Sequence, residues 1–105
     1  MKSEYTDIPL VKNEEKKRFE IEIDGHFAFI DYRMMGKDVA LVHTETDAEL
    51  SGKGAAGAVV EKTLQYLDEN NITLHPYCPY VFAYIKRHPE WKRIVSPKFK
   101  GYNDL

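Results

Sequence analysis

The stretch LSGKGAAGAVVEKTL, residues 50–64, begins as a loop and continues as a helix. From Gly52 to Gly57 the chain has three glycines, two alanines and one lysine, so the predicted helix opens on residues with almost no side chains. The first N–H groups of a helix lack partners within it, and the helix dipole adds partial positive charge there. A start of this kind predicts that a large anion approaches the backbone.

Three strands are predicted before this stretch. RFEIEID, residues 18–24, alternates apolar and acidic residues, which is typical of a half-exposed strand. Asp24-Gly25 is a strong signal for a two-residue hairpin turn. The returning run HFAFIDYRMM, residues 26–35, is apolar on both faces, and VALVHTE, residues 39–45, predicts a third strand. These three strands form an antiparallel meander.

The glycine-rich loop leads into a helix predicted over residues 55–69, followed by a strand in ITLHPY, residues 72–77. Pro79 then suits the first turn of a second helix that ends before Pro89. The fold class is therefore α+β: a three-stranded meander, a β-α-β crossover and a C-terminal helix. Because the crossover strands are parallel, the glycine loop and Cys78 emerge at the same sheet edge, where open sheets bind ligands.

Composition predicts one globular domain in 105 residues, of which 43% are hydrophobic. We expect a polar leader over 1–17, a compact domain over 18–96 and a C-terminal tail over 97–105. The net charge of −2 gives no reason to expect a nucleic acid or a membrane as partner. A single cysteine, no apolar run of membrane length and no apolar signal segment predict a cytoplasmic protein.

Two familiar phosphate-binding motifs fit the loop poorly. Residues 52–57 match G-x-G-x-x-G, the dinucleotide fingerprint, but three strands precede them and the following strand does not end on an acidic residue. A P-loop requires Gly-Lys-Ser/Thr after a four-residue spacer, and this is missing as well.

A third pattern fits better. Residues 51–56, Ser-Gly-Lys-Gly-Ala-Ala, match Q/R-x-x-G-x-G/A except that Ser51 replaces Gln or Arg. Over about residues 18–95 the chain resembles the short, single-domain branch of the acetyltransferases related to Gcn5. The resemblance is carried by a strand ending in His-Thr, the glycine loop, and a late cysteine before a tyrosine-rich helix.

The resemblance implies that acetyl-CoA is the acyl donor, with its pyrophosphate on the loop amides and its pantetheine along the main chain of residues 42–46. No metal site is expected, because the histidines lack metal-ligand spacing. The cofactor-binding residues implied are Thr44, Gly52, Lys53, Gly54, Ala55, Ala56, Gly57 and Tyr80.

Acyl transfer to an amine needs a base, and His43 or Glu45 is the candidate on the strand before the loop. Both residues point to one face of this strand and Thr44 points to the other. The alternative for His43 is a hydrogen-bonded structural histidine, and the alternative for Glu45 is a solvated residue at a strand end.

Cys78 is predicted to be the N-cap of the second helix, where the helix dipole favours a thiolate. It lines the acyl pocket or accepts the acyl group itself, unless it is only a small buried hydrophobe. The resemblance implies a tyrosine on this helix that protonates the leaving thiolate. Ile85 stands at that position, so Tyr84 is the candidate acid in a shifted register, and packing with a hydrogen bond is the alternative for its ring.

The function predicted is acetyl-CoA-dependent N-acetyl transfer to an unknown amine, through an acyl-cysteine or directly. The competing hypotheses are a CoA- or acyl-CoA-binding module or sensor without turnover, and an interaction domain whose loop merely caps a helix. Parts that wall the acceptor site in larger members are missing here. We therefore expect an open site in a monomer, or a site completed by a second subunit in a small homo-oligomer.

Overall fold

The computed structural model describes residues 3–105 and has five strands in one sheet, in the order β1-β2-β3-β4-β5. All neighbouring strands are antiparallel except β4 and β5, which are parallel. This arrangement confirms the predicted α+β class, the meander and the crossover. In chain order the elements are β1 (Val11–Asn13), β2 (Arg18–Ile23), β3 (His26–Met35), β4 (Asp38–Thr46), α1 (Ala55–Glu69), β5 (Leu74–Pro76) and α2 (Pro79–Arg87).

Strand alternation gives the sheet a helix-covered face and a second face. Phe19 and Ile21 of β2 pair with Ile30 and Ala28 of β3, and all four side chains are buried. The Phe19 ring lies 5.5 Å from the Tyr66 ring of α1, so this face is the one that α1 covers. Alternate residues point the other way, to what we call the open face of the sheet.

Helix α1 buries the face that carries Val60, Thr63, Leu64 and Leu67, which recur at helical spacing. The helix begins and ends at the predicted residues, and Asn71 after it adopts a left-handed conformation. This conformation is the usual way for a helix to end before a turn. Helix α1 is therefore fixed against the sheet along its length.

Strands β4 and β5 are paired over only three of the nine residues of β4. Their ladder runs from Val39–Leu74 to Leu41–Pro76, and the last bond is donated by the Cys78 N–H to the Leu41 carbonyl at 2.8 Å. Beyond Leu41, β4 continues beside β3 alone while the other chain turns into α2. The edge of β4 from residue 42 to residue 46 is thus left open toward α2.

Packed residues extend beyond both predicted limits of the compact domain. On the N-terminal side, β1 pairs with β2 and the Tyr5 side chain is buried. On the C-terminal side, the buried Phe99 ring lies 5.2 Å from the Tyr77 ring. The limits at residues 18 and 96 stay a prediction, but the core draws on residues outside them. Over residues 3–105, no helix is both long and apolar enough to cross a membrane.

Candidate active site

The glycine loop forms an exposed turn that ends at the start of α1. Gly52 and Gly54 have φ of 73° and 80°, a left-handed conformation that strains any residue with a side chain. Gly54 is the N-cap of α1, and no side chain caps the helix. Residues 51–54 are all exposed, Ala55 is buried, and Ala56 and Gly57 are partly buried, so an anion reaches the first turn of α1 over the glycine loop.

Tyr80, predicted to contact the cofactor, lies beside this loop. A Cβ atom placed on Gly57 would lie 3.7 Å from the Tyr80 hydroxyl, so the tyrosine of α2 faces the first turn of α1. Tyr80 is also 39% exposed, so a ligand between the first turns of α1 and α2 can reach its side chain. The structure therefore brings Gly57 and Tyr80 together.

Tyr5 holds the glycine loop in place and was missed by the sequence analysis. Its hydroxyl donates to the Lys53 carbonyl at 2.7 Å, and its side chain is 5% exposed. Nearby, the Lys62 ammonium donates to the Thr6 carbonyl at 3.3 Å and ties the same segment to α1. The partners in the first bond lie 48 residues apart, so no local pattern could have revealed it.

Cys78 is the N-cap of α2 and Pro79 is the first helical residue, as predicted. The thiol is 3% exposed, and its Sγ atom lies 3.2 Å from the Thr44 hydroxyl of β4. This contact joins β4 to the start of α2, just beyond the point where β4 and β5 diverge. The structure thus places Thr44 and Cys78 together on the helix-covered face, and the role of the thiol stays a prediction.

His43 and Glu45 lie on the open face, on the opposite side of β4 from Thr44. Their side chains are paired, with 3.2 Å between His43 Nε2 and Glu45 Oε1. They are 57% and 60% exposed, so water and a substrate can reach both. The pair therefore has the geometry of a base oriented by a carboxylate, separated from the thiol by the strand itself.

Tyr84 makes a hydrogen bond between the helices. Its hydroxyl donates to Glu61 Oε1 at 2.5 Å, and the Trp91 indole N–H lies 3.4 Å from the same oxygen. Burial, followed by the hydrogen bond to Glu61, raises the pKa of Tyr84 well above the usual value for a phenol. The acid role of Tyr84 stays a prediction, since its proton is held by Glu61 in this structure.

The site is therefore built from parts on both faces of β4, at the edge where β4 and β5 diverge. The loop amides, Tyr80, Thr44 and Cys78 lie toward the helices, whereas the pair of His43 and Glu45 lies toward the open face. Within residues 3–105, no three histidine, cysteine, aspartate or glutamate side chains gather as a metal ion would require.

Comparison with known proteins gives a family and a set of relatives. The family model described as GCN5-related N-acetyl-transferase matches residues 18–94. Protein NATD1 of Mus musculus is 27% identical over 78 residues, which is 71% of each chain. The NATD1 proteins of Xenopus tropicalis and Gallus gallus are each 29% identical over 83 residues, 75% of this chain and 76% of theirs.

Proposed function

The chain belongs to the GCN5-related N-acetyltransferase family, and from that premise we propose that it transfers an acetyl group from acetyl-CoA to an amine. The observation that carries the proposal is the uncapped start of α1, which follows an exposed glycine loop beside the diverging strands β4 and β5. Amides at a helix start bind phosphate groups, and an open strand edge can pair with the amides of pantetheine.

The donor would bind along two contiguous surfaces. The pyrophosphate lies on the N–H groups of residues 54–57, with Tyr80 at its side, and the pantetheine follows β4 from residue 46 toward residue 42. This path supports a thioester that ends near Thr44 and Cys78, because these side chains meet where the ladder between the strands stops. No side chain larger than alanine lies between Gly54 and Gly57 to obstruct it.

In the proposed reaction the amine nitrogen attacks the thioester carbonyl carbon. The C–N bond forms, the C–S bond breaks, and the CoA sulfur leaves as a thiolate that takes up a proton. His43 removes the proton from the amine, directly or through water, while Glu45 holds the imidazole at 3.2 Å. The acceptor thus approaches from the open face and the donor from the helix-covered face.

We propose direct transfer rather than an acyl-cysteine. Cys78 is 3% exposed, and the polar side chain in contact with its sulfur is the hydroxyl of Thr44, which is not a base. In this scheme Cys78 lines the acyl pocket as a small, polarisable side chain.

The first test is binding, measured as thermal stabilisation. A ligand present at 100 times its dissociation constant adds ~2.7 kcal/mol to stability, a shift in Tm on the order of 10 °C for a domain of this size. Acetyl-CoA should produce this shift, whereas NAD and ATP at the same concentration should not. Equal shifts with all three ligands would contradict a site for acetyl-CoA.

The second test is turnover, followed as CoA thiol release with a panel of amines. Release that depends on the amine supports the transferase, whereas tight binding without release supports the alternative, a CoA-binding module. Cys78→Ala separates the two chemical routes. Direct transfer leaves kcat within roughly threefold of the wild type, but an acyl-cysteine route would lose about 100-fold or more.

We also propose that the protein works in the cytoplasm, where acetyl-CoA is available, and that the monomer carries a complete site. All of the proposed residues come from one chain and converge at one sheet edge. Sedimentation of the active protein tests the second point, because full activity in a dimer but not in a monomer would require a shared site.

A further inference from the structure

A groove on the open face of the sheet reaches the proposed base. Its volume is about 920 Å³, which lies within the range of sites for small molecules. Side chains from the β1–β2 turn, from β3 and from β4 line it. The lining includes Lys16, Lys17, Asp31, Arg33, Val42 and His43.

The charge of the groove is positive. Lys16, Lys17 and Arg33 supply three cations, and Asp31 is the carboxylate among the lining residues. Asp31 is already paired, because its Oδ1 atom lies 3.7 Å from Nε of Arg18. A ligand therefore meets an excess of positive charge in a protein whose net charge is −2.

The two lysines are held in position by the backbone. The Lys16 N–H donates to Asn13 Oδ1 at 3.0 Å, and the Lys17 carbonyl accepts from the Tyr32 N–H at 2.9 Å. The second bond fixes the β1–β2 turn beside β3, where the register of β3 and β4 shifts between Asp31 and Tyr32. These bonds fix the backbone of the turn from which both lysine side chains extend into the groove.

The other end of the groove is formed by His43 and Val42 of β4. His43 is the base of the proposed reaction, and Val42 begins the strand edge along which the thioester would lie. One continuous groove thus joins a cluster of cations to the position where the amine must lose its proton.

We propose that this groove binds the acceptor, and that the acceptor is a small primary amine that carries an anionic group such as a carboxylate or a phosphonate. The proposal rests on the acetyl transfer proposed above. Lys16, Lys17 and Arg33 hold the anionic group, with the Arg33 guanidinium able to bind two of its oxygens.

The test compares three amines with the same carbon chain: 3-aminopropylphosphonate, 3-aminopropan-1-ol and 1,3-diaminopropane. CoA release is measured at saturating acetyl-CoA, and kcat/KM is expressed per concentration of neutral amine. We expect the phosphonate to exceed the alcohol about tenfold and the diamine to be the poorest acceptor. Raising the ionic strength from about 20 mM to about 300 mM should shrink this preference.

Charge variants show whether the cations of the groove cause the preference for the phosphonate. The double variant Lys17→Glu/Arg33→Glu should remove or reverse the preference for the phosphonate while the Kd for acetyl-CoA stays unchanged. Lys16→Gln/Arg33→Gln, a milder change, should bring the ratio close to one if the reversed charges prevent folding. The control is Lys100→Glu, which repeats the Lys-to-Glu substitution of Lys17 at an exposed position outside the groove. It should leave the ratio of kcat/KM for the phosphonate to that for the alcohol unchanged.

The outcomes separate this inference from the proposed function. If the alcohol or the diamine is used as well as the phosphonate, or if the charge variants leave the ratio unchanged, the anionic acceptor is wrong but acetyl transfer stands. If acetyl-CoA binds and no amine of any charge releases CoA, the transfer itself fails and this inference fails with it.

Discussion

The two faces of strand β4 beyond Leu41 differ in almost every physical respect. On the helix-covered face, Thr44 contacts the Cys78 sulfur, and Cys78 is 3% exposed. On the open face, His43 and Glu45 are more than half exposed and form a polar pair. Adjacent residues of one strand thus lie in a packed environment and in water.

In the proposed reaction, this difference places the two substrates on different faces. A thioester carbon is protected from hydrolysis where water is excluded, which favours the face of Thr44 and Cys78. Proton transfer needs a titratable group within reach of water, which favours the face of His43. The reaction would then occur across the open edge of β4.

The largest effect is expected from Gly54→Val, which disrupts the proposed acetyl-CoA site at the start of α1 and leaves the open face unchanged. The left-handed φ of 80° strains a β-branched residue, and the new side chain crowds the first amides of α1. We expect the affinity for acetyl-CoA to fall at least ~100-fold, about 2.7 kcal/mol of binding free energy, as measured by calorimetry.

Gly36→Val is the matched control for this change. Gly36 has φ of 64° in the turn between β3 and β4, and a Cβ atom there has open space around it. It therefore carries similar backbone strain away from the loop. Equal loss of affinity in both variants would show that strain, rather than the bare helix start, explains the result.

His43→Gln removes the candidate base on the open face and leaves the helix-covered face unchanged. Loss of a general base typically costs 10²-fold or more, so we expect kcat/KM to fall about 100-fold while the Kd for acetyl-CoA is unchanged. His26→Gln, at a half-exposed histidine of β3, serves as the control. Activity that survives His43→Gln would move the base elsewhere and would remove the division between the faces.

Much of the fold followed from local patterns. Helix α1 begins and ends as predicted because its apolar stripe and Asn70-Asn71 mark it clearly. Strand β1 was missed because Val11–Asn13 is short, edge-located and partly polar, and only pairing with β2 makes it a strand. A three-residue edge strand has no periodicity of its own to read.

The site was predictable only where one residue or one strand decides the geometry. Pro79 fixed Cys78 as an N-cap, and alternation separated His43 from Thr44. The bonds of Tyr5 to Lys53 and of Tyr84 to Glu61 were not predictable, because they depend on packing between segments 48 and 23 residues apart. Such contacts are properties of the assembled fold.

Tyr84→Phe tests whether Tyr84 has a structural role or is the acid that protonates the leaving thiolate. The phenol donates to a carboxylate, and a hydrogen bond of this kind contributes about 1.5 kcal/mol to the free energy of unfolding. We expect denaturant unfolding to show that loss, with kcat within about twofold of the wild type. A tenfold fall in kcat at unchanged stability would instead support the acid role.

Tyr5→Phe tests whether the glycine loop needs its support. The substitution removes only the hydroxyl that donates to the Lys53 carbonyl, a bond worth about 1 kcal/mol. We expect the Kd for acetyl-CoA to rise about fivefold, because the loop must be ordered when the cofactor binds. Tyr102→Phe, at a partly buried tyrosine near the C-terminus, should leave the Kd unchanged.

The smallest effect is expected from a substitution of Asp38. This residue lies at the end of β4 that pairs with β5, away from the end where the two strands diverge. Asp38 accepts hydrogen bonds from Thr73 and from His75 Nε2, the second at 2.9 Å, and these lower the pKa of Asp38 below the usual value for a carboxyl. A lowered pKa stabilises the fold above the unfolded value of about 3.9, and this contribution is lost as the pH falls through the folded value.

Asp38→Asn should therefore lower Tm by roughly 5 °C at pH 7, and the difference from the wild type should shrink below about pH 4. Asp104→Asn, at an exposed carboxylate near the C-terminus, should show no such pH-dependent difference. The hydrogen bonds of Asp38 with Thr73 and His75 lie away from the end where β4 and β5 diverge. The Kd for acetyl-CoA should therefore not change. A Tm difference that grew on acidification would mean that the ionised form of Asp38 destabilises the paired strands.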